Sequence, residues 1–154
     1  GIAPVPKMRK AGITVGLGTD GASSNNKLDM FAEMRLAALI HKGATLDPFA
    51  IKAEEALQMG TEAGAKCLGY SDLGVLKEGY LADIILVDRS GWNWKPCFNS
   101  ISLAVYAGNS MDVDTVMVNG ELLMRHRELL TIDAEKLSYE TERVTKKLYA
   151  FKQQ

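Results

Sequence analysis

The stretch ITVGLGTDGASSNNKLDMFAEMRLAALIHKG, residues 13–43, decides how this chain is read. Its opening run, Ile13-Thr14-Val15-Gly16-Leu17, is short, apolar and alternating, and predicts a β-strand over 13–18. Gly18-Thr19-Asp20-Gly21 closes the run, so a carboxylate stands just past the carboxyl end of a strand. In α/β folds that end of the sheet carries the chemistry. Glycines on both sides permit a sharp turn and leave room beside the acid for a metal or a substrate. Asp and Gly are also ordinary turn residues, so the tetrapeptide alone leaves both readings open.

Downstream, Ala22-Ser23-Ser24-Asn25-Asn26 is a polar loop. A helix is predicted from about 28 to 42, with Phe31, Met34, Ala38 and Leu39 on its apolar stripe. His41 and Lys42 fall in its last turn as cations that complement the helix dipole, and Gly43 supplies a stop. Asp47-Pro48 opens a helix over 48–59, and a shorter one spans 61–68 and ends at Gly69. Upstream, residues 4–12 suit a short helix opened by Pro6.

The pattern changes near residue 70. Leu81 to Asp88 is rich in β-branched residues and predicts a buried strand. Residues 89–98 are irregular, and periodicity does not decide between strand and helix for 100–107. Val113–Val118 and Glu121–Arg125 flank Asn119-Gly120, the dipeptide a type I′ hairpin turn favours because both central residues need positive φ. Asp133 caps a last helix whose stripe, Leu137, Thr141, Val144, Leu148 and Phe151, is expected to dock on the core.

Composition bounds the function. With 47% hydrophobic and 24% charged residues the chain is an ordinary globular sequence, and a net charge of −1 gives no footprint for nucleic acid or an anionic membrane. Two cysteines make no disulfide framework, which points to a reducing cytoplasm. No apolar run reaches the roughly 18 residues of a membrane span. The opening Gly1-Ile2-Ala3-Pro4-Val5-Pro6 lacks Met, so the chain reads as a fragment of something longer.

Metal-binding motifs are sparse. Zinc takes three or four ligands from His, Cys, Asp or Glu, and the two histidines here have no ligand spacing. His126 sits among charges at a strand end and is expected to be exposed. Pro96-Cys97 is half of a nucleobase-deaminase zinc signature, but position 100 is Ser and no His-x-Glu exists, so Cys97 is expected to be a small buried apolar group. Trp92 and Trp94 are expected to cover a domain seam. Asp20 alone has a context that suggests direct chemistry.

The segment GLGTDGASSNNKLDMFAEMRLAALIHKG resembles the amidohydrolase superfamily, and most closely its 5′-methylthioadenosine/S-adenosylhomocysteine deaminases and related chlorohydrolases. The order of later segments is similar too: Leu73 to Asp83, then Asn99 to Ala107 (with Ser100 where Pro is usual), Val113 to Gly120, and Leu129-Leu130-Thr131-Ile132-Asp133. The resemblance implies an α/β plus β fold: the C-terminal fragment of a metal-dependent (β/α)8 TIM-barrel hydrolase joined to part of its small β-sandwich. Residues 1–70 would be the end of the barrel, 71–132 the sandwich segment and 133–154 a C-terminal helix.

By the same resemblance Asp20 is both metal ligand and catalytic proton carrier, with Ser24 and Asn25 the candidates to border the substrate. The implied cofactor is a divalent metal, zinc in the first instance, whose histidine ligands lie outside this chain. The implied reaction is hydrolytic deamination of an adenosine analogue to the inosine analogue and ammonia, with the isolated chain inactive. A guanine, cytosine or triazine aminohydrolase or chlorohydrolase is the alternative, and a non-catalytic dimerisation module a further one. The expected partners are a nucleoside-type small molecule and a second copy of the chain, because a lone barrel strand exposes an unpaired edge.

Overall fold

The computed structural model describes residues 1–152. The helices are α1 (Val5–Lys10), α2 (Met30–Thr45), α3 (Ala53–Gly60), α4 (Glu62–Cys67), α5 (Ser100–Tyr106) and α6 (Ala134–Lys152). The strands are β1 (Ile84–Val87), β2 (Val113–Val118), β3 (Glu121–Arg125) and β4 (Glu128–Leu129). Residues 153 and 154, the end of the expected last helix, lie outside the described residues.

α2 is the central element. Asp29 caps its N-terminus: Oδ1 accepts from the N–H groups of Phe31 at 2.9 Å and Ala32 at 3.2 Å. Its inward face is Phe31, Met34, Ala37, Ala38 and His41, whereas Leu39, expected on that face, is exposed. These residues pack on α3 and α5, and the core cluster includes Ala56 and Met59 of α3, Val105 of α5 and Ile51 just before α3, each fully buried. Gly43 does not stop the helix, which runs on to Thr45 and ends where Leu46 turns left-handed at φ 54°. Glycine permits a helix end without enforcing one.

α3 begins at Ala53 rather than 48. Asp47 instead accepts the Phe49 N–H at 2.8 Å in a turn, and Lys52 is the N-cap. Residues 100–107, undecided in the sequence, begin a helix because the Asn99 side chain accepts the Ser102 N–H at 2.9 Å.

The strand expected at 13–18 makes no ladder among the described residues. Leu17 N–H donates to the Met59 carbonyl at 3.0 Å, and Val15 and Leu17 lean on the core. Gly16 passes so close to α4 that a Cβ there would meet Gly64 Cα at 2.9 Å. A strand requires a hydrogen-bonded neighbour, and the described residues place none beside this segment.

The four strands pair antiparallel in the order β1-β2-β3-β4. Asn119 (φ 48°) and Gly120 (φ 82°) form the expected hairpin turn. Asn119 N–H also donates to Asp83 Oδ1 at 2.7 Å, which docks the turn on the approach to β1. A second tight turn at His126-Arg127, both at positive φ, leads into β4; no glycine or asparagine announces it in sequence. β1 is shorter than 81–88, and Ile85 and Leu86 are exposed rather than buried.

α6 does not dock on the core. Leu137, Val144, Leu148 and Phe151 are all about half exposed or more. Among the described residues no helix is long and apolar enough to cross a membrane.

Candidate functional site

Asp20 stands at the end of the segment that runs beside α3 and α4 and touches Met59 and Gly64. Its backbone is left-handed, φ 62°, a conformation that costs a non-glycine residue about 1 kcal/mol or more. The strain is offset locally. Gly21 N–H donates to Asp20 Oδ1 at 2.7 Å, and Thr19 Oγ1 donates to the Asp20 carbonyl at 3.1 Å. Oδ2 accepts no hydrogen bond from any described residue, and the side chain is exposed. An outward carboxylate with one free oxygen is a hard donor of the kind a divalent cation takes.

The loop behind Asp20 is tightly tied. The Ser24 and Asn25 N–H groups both donate to the Gly21 carbonyl, at 2.9 and 3.0 Å. Asn25 Nδ2 donates to the Thr19 carbonyl at 2.8 Å and to Glu33 Oε1 at 3.2 Å, and Asn25 Oδ1 accepts the Lys27 N–H at 3.0 Å. Ser24 is exposed. The structure therefore brings Asp20, Ser24 and Asn25 into one loop.

Asp29 anchors that loop to the rest of the molecule, and sequence reasoning missed it. It is fully buried. Besides capping α2, its Oδ2 accepts from Ser110 Oγ at 3.1 Å and meets Lys27 Nζ at 3.1 Å. Burial pushes the carboxyl up, but the Lys27 ammonium, the Ala32 N–H and the Ser110 donors outweigh it and hold Asp29 below the usual carboxylate range. The signal was available: Asp before a helical run is an N-cap pattern.

The other residues singled out from sequence lie elsewhere. His41 lies on the buried face of α2, and burial pushes its imidazole below the ordinary histidine value, which disfavours the helix-end cation expected from sequence. His126 is exposed, with Nδ1 3.3 Å from Asp114 Oδ2. Cys97 is exposed rather than buried, its Sγ 2.9 Å from Arg89 Nη2. Trp94 is buried, with its indole N–H on Asp112 Oδ2 at 3.0 Å, whereas Trp92 is exposed. Among the described residues no three His, Cys, Asp or Glu side chains cluster closely enough to hold a metal. Asp20 can thus fill one coordination position, and these residues do not complete the shell.

A sequence model of the amidohydrolase family matches residues 1–123, and the chain belongs to that family. It is 51% identical over 143 residues to a 5-methylthioadenosine/S-adenosylhomocysteine deaminase of Dictyoglomus thermophilum, an alignment covering 93% of this chain and 34% of that protein. The fold superposes on a zinc-bound adenosine deaminase of Xanthomonas campestris with a TM-score of 0.93 at 32% identity, covering 97% of this chain and 34% of the other. It also superposes on a zinc complex of the atrazine chlorohydrolase of Arthrobacter aurescens, with a TM-score of 0.86 at 36% identity, covering 93% of this chain and 32% of the other. The chain therefore spans about a third of the length of the relatives it matches.

Proposed function

We propose that this chain is the C-terminal part of a metal-dependent amidohydrolase that deaminates an adenosine analogue, 5′-methylthioadenosine or S-adenosylhomocysteine, to the inosine analogue and ammonia. The observation that carries the reading is the 51% identity to a deaminase of that name, over an alignment long enough to include Asp20 wherever its ends fall. In this reading residues 1–70 close a (β/α)8 barrel, with 13–18 as its last strand. Residues 71–132 belong to a small β-sandwich, and 133–154 form the C-terminal helix. The partners of segment 13–18 and the remaining metal ligands then come from polypeptide outside these residues. A homo-oligomer and a cytoplasmic setting complete the proposal.

Asp20 does two things. Its free Oδ2 is the oxygen that would hold a metal, while the Gly21 N–H on Oδ1 fixes the carboxylate plane. What a bound divalent cation supplies is a more acidic water next to the ring. Asp20 would accept a proton from the attacking water as the water oxygen bonds to the carbon bearing the exocyclic amine. It then delivers the proton to the departing nitrogen, which leaves as ammonia when the C–N bond breaks. Ser24, exposed on the same loop, borders the substrate.

The likeness to the atrazine chlorohydrolase supports a second reading, a triazine-type chlorohydrolase. The full-length protein separates the two when assayed with 5′-methylthioadenosine and with a chlorotriazine. Ammonia release from the nucleoside is the expected result. Chloride release from the triazine, with the nucleoside inert, would establish the second reading instead.

A further inference from the structure

We propose that Asn25 is the positioning residue for Asp20, acting through the Thr19 carbonyl and braced by Glu33. The proposal rests on the reading of Asp20 as metal ligand and proton carrier.

The argument begins with what the Asn25 side chain can do. A carboxamide carries two N–H donors and an acceptor oxygen. Both acceptors near Nδ2, the Thr19 carbonyl at 2.8 Å and Glu33 Oε1 at 3.2 Å, need donors, and the Lys27 N–H at 3.0 Å needs an acceptor. That pattern fixes which way the amide faces. It also occupies the side chain's polar groups within the chain.

Each partner has a place in one mechanical path. Thr19 is the residue before Asp20, and its carbonyl belongs to the peptide that sets Asp20 φ at 62°. Glu33 lies in the first turn of α2, the helix whose far side is the core and whose cap is the buried Asp29. Asn25 therefore connects a rigid helix to the peptide that aims the Asp20 carboxylate. A left-handed, non-glycine residue persists only when its surroundings over-determine it. Asn25 supplies that constraint from one side, and the Gly21 N–H on Asp20 Oδ1 supplies it from the other.

No polar side chain of the same length or shorter does the same. Aspartate at position 25 would set an acceptor against two acceptors, the Thr19 carbonyl and the Glu33 carboxylate. Serine has a single donor for the two. Glutamine at position 33 would still offer a carbonyl oxygen to Asn25, whereas alanine would not.

The test uses the full-length, zinc-loaded protein in four variants: Asn25→Asp, Glu33→Ala, Glu33→Gln and, as reference, Asp20→Asn. Three quantities are read: the kcat and KM for 5′-methylthioadenosine, the rate at which excess chelator removes zinc, and the thermal midpoint. With the carboxylate misaimed by a fraction of an ångström to an ångström, Asn25→Asp is expected to lower kcat by about 100-fold with KM changed by less than about threefold. Zinc loss should quicken in the same variant. Glu33→Ala, which leaves the loop sequence intact and guards against a folding artefact, should move kcat and zinc loss in the same direction by a smaller factor. Glu33→Gln should recover most of what Glu33→Ala loses. A raised KM with parental kcat in Asn25→Asp would put Asn25 on the substrate and overturn the proposal. So would parental kcat and zinc loss in Asn25→Asp and Glu33→Ala while Asp20→Asn is inactive. An active Asp20→Asn would instead refute the underlying reading of the site.

Discussion

At the scale of single residues, Asp20 and Asp29 show how the same side chain serves opposite ends. Asp20 is exposed, strained in its backbone and half free in its carboxylate; Asp29 is buried and fully bonded. Replacing Asp29 with Ala removes a helix cap and leaves Ser110 and Lys27 without their acceptor. A loss of about 2 kcal/mol in unfolding free energy is expected, measured by urea denaturation. Asp29→Asn keeps the cap acceptor and should lose less. The place of Asp20, in a turn just past an apolar run, was legible in sequence; a chemical role was not, because Asp and Gly serve ordinary turns as well. For Asp29 the sequence displays only the N-cap pattern, and nothing local shows that Ser110, 81 positions away, closes on it.

His41 adds a pH dependence at the same scale. Burial lowers its folded pKa below the ordinary 6.5, so the unfolded chain binds more protons just below that value. Stability is therefore full above pH 6.5 and falls as pH drops from 6.5 towards the folded pKa. His41→Gln should remove that decline, read as the slope of unfolding free energy against pH; an unchanged slope would show that another group causes it.

At the scale of elements, the hairpin and α6 differ in how much their sequence decides. The Asn119-Gly120 turn is set by backbone conformation alone, which is why two residues announced it. Gly120 sits at φ 82°, so Gly120→Ala should cost about 1 kcal/mol, checked by thermal unfolding. α6 carries a clear apolar stripe, yet the stripe is exposed. Amphipathic periodicity shows that a helix has a face to cover and is silent on what covers it. Within this chain Leu137→Ser and Leu148→Ser should each change stability by less than about 0.5 kcal/mol, because both side chains are exposed rather than packed in the core. A large loss would mean that α6 packs on the body after all.

Segment 13–18 makes the same point for strands. Its alternation was real, and its inward residues, Val15 and Leu17, do meet the core. A ladder, though, belongs to two segments, and a single sequence run specifies only one of them.

At the scale of the whole molecule, α2 and the β2–β3 hairpin are built from local patterns the sequence displays, whereas α5 was open between strand and helix and the turn into β4 had no local signal. The candidate site was only partly legible for a different reason. A metal centre is a convergence of distant residues, and among the described residues no three ligand-type side chains converge, so Asp20 stands alone as the proposed member. The 154-residue chain by itself is expected to hold no stoichiometric zinc, checked by elemental analysis after dialysis; one tightly held metal per chain would show that ligands within it had been overlooked.

Asp20 is proposed to belong to the metal site of a deaminase. The most direct measurement is ammonia release from 5′-methylthioadenosine by the full-length protein and its Asp20→Asn variant, each at matched zinc content. Loss of both the proton acceptor and the ligand charge predicts that turnover falls by about 1,000-fold or more. Turnover within about tenfold of the parent would contradict the assignment, since a residue carrying the proton cannot be replaced by an amide at so small a cost.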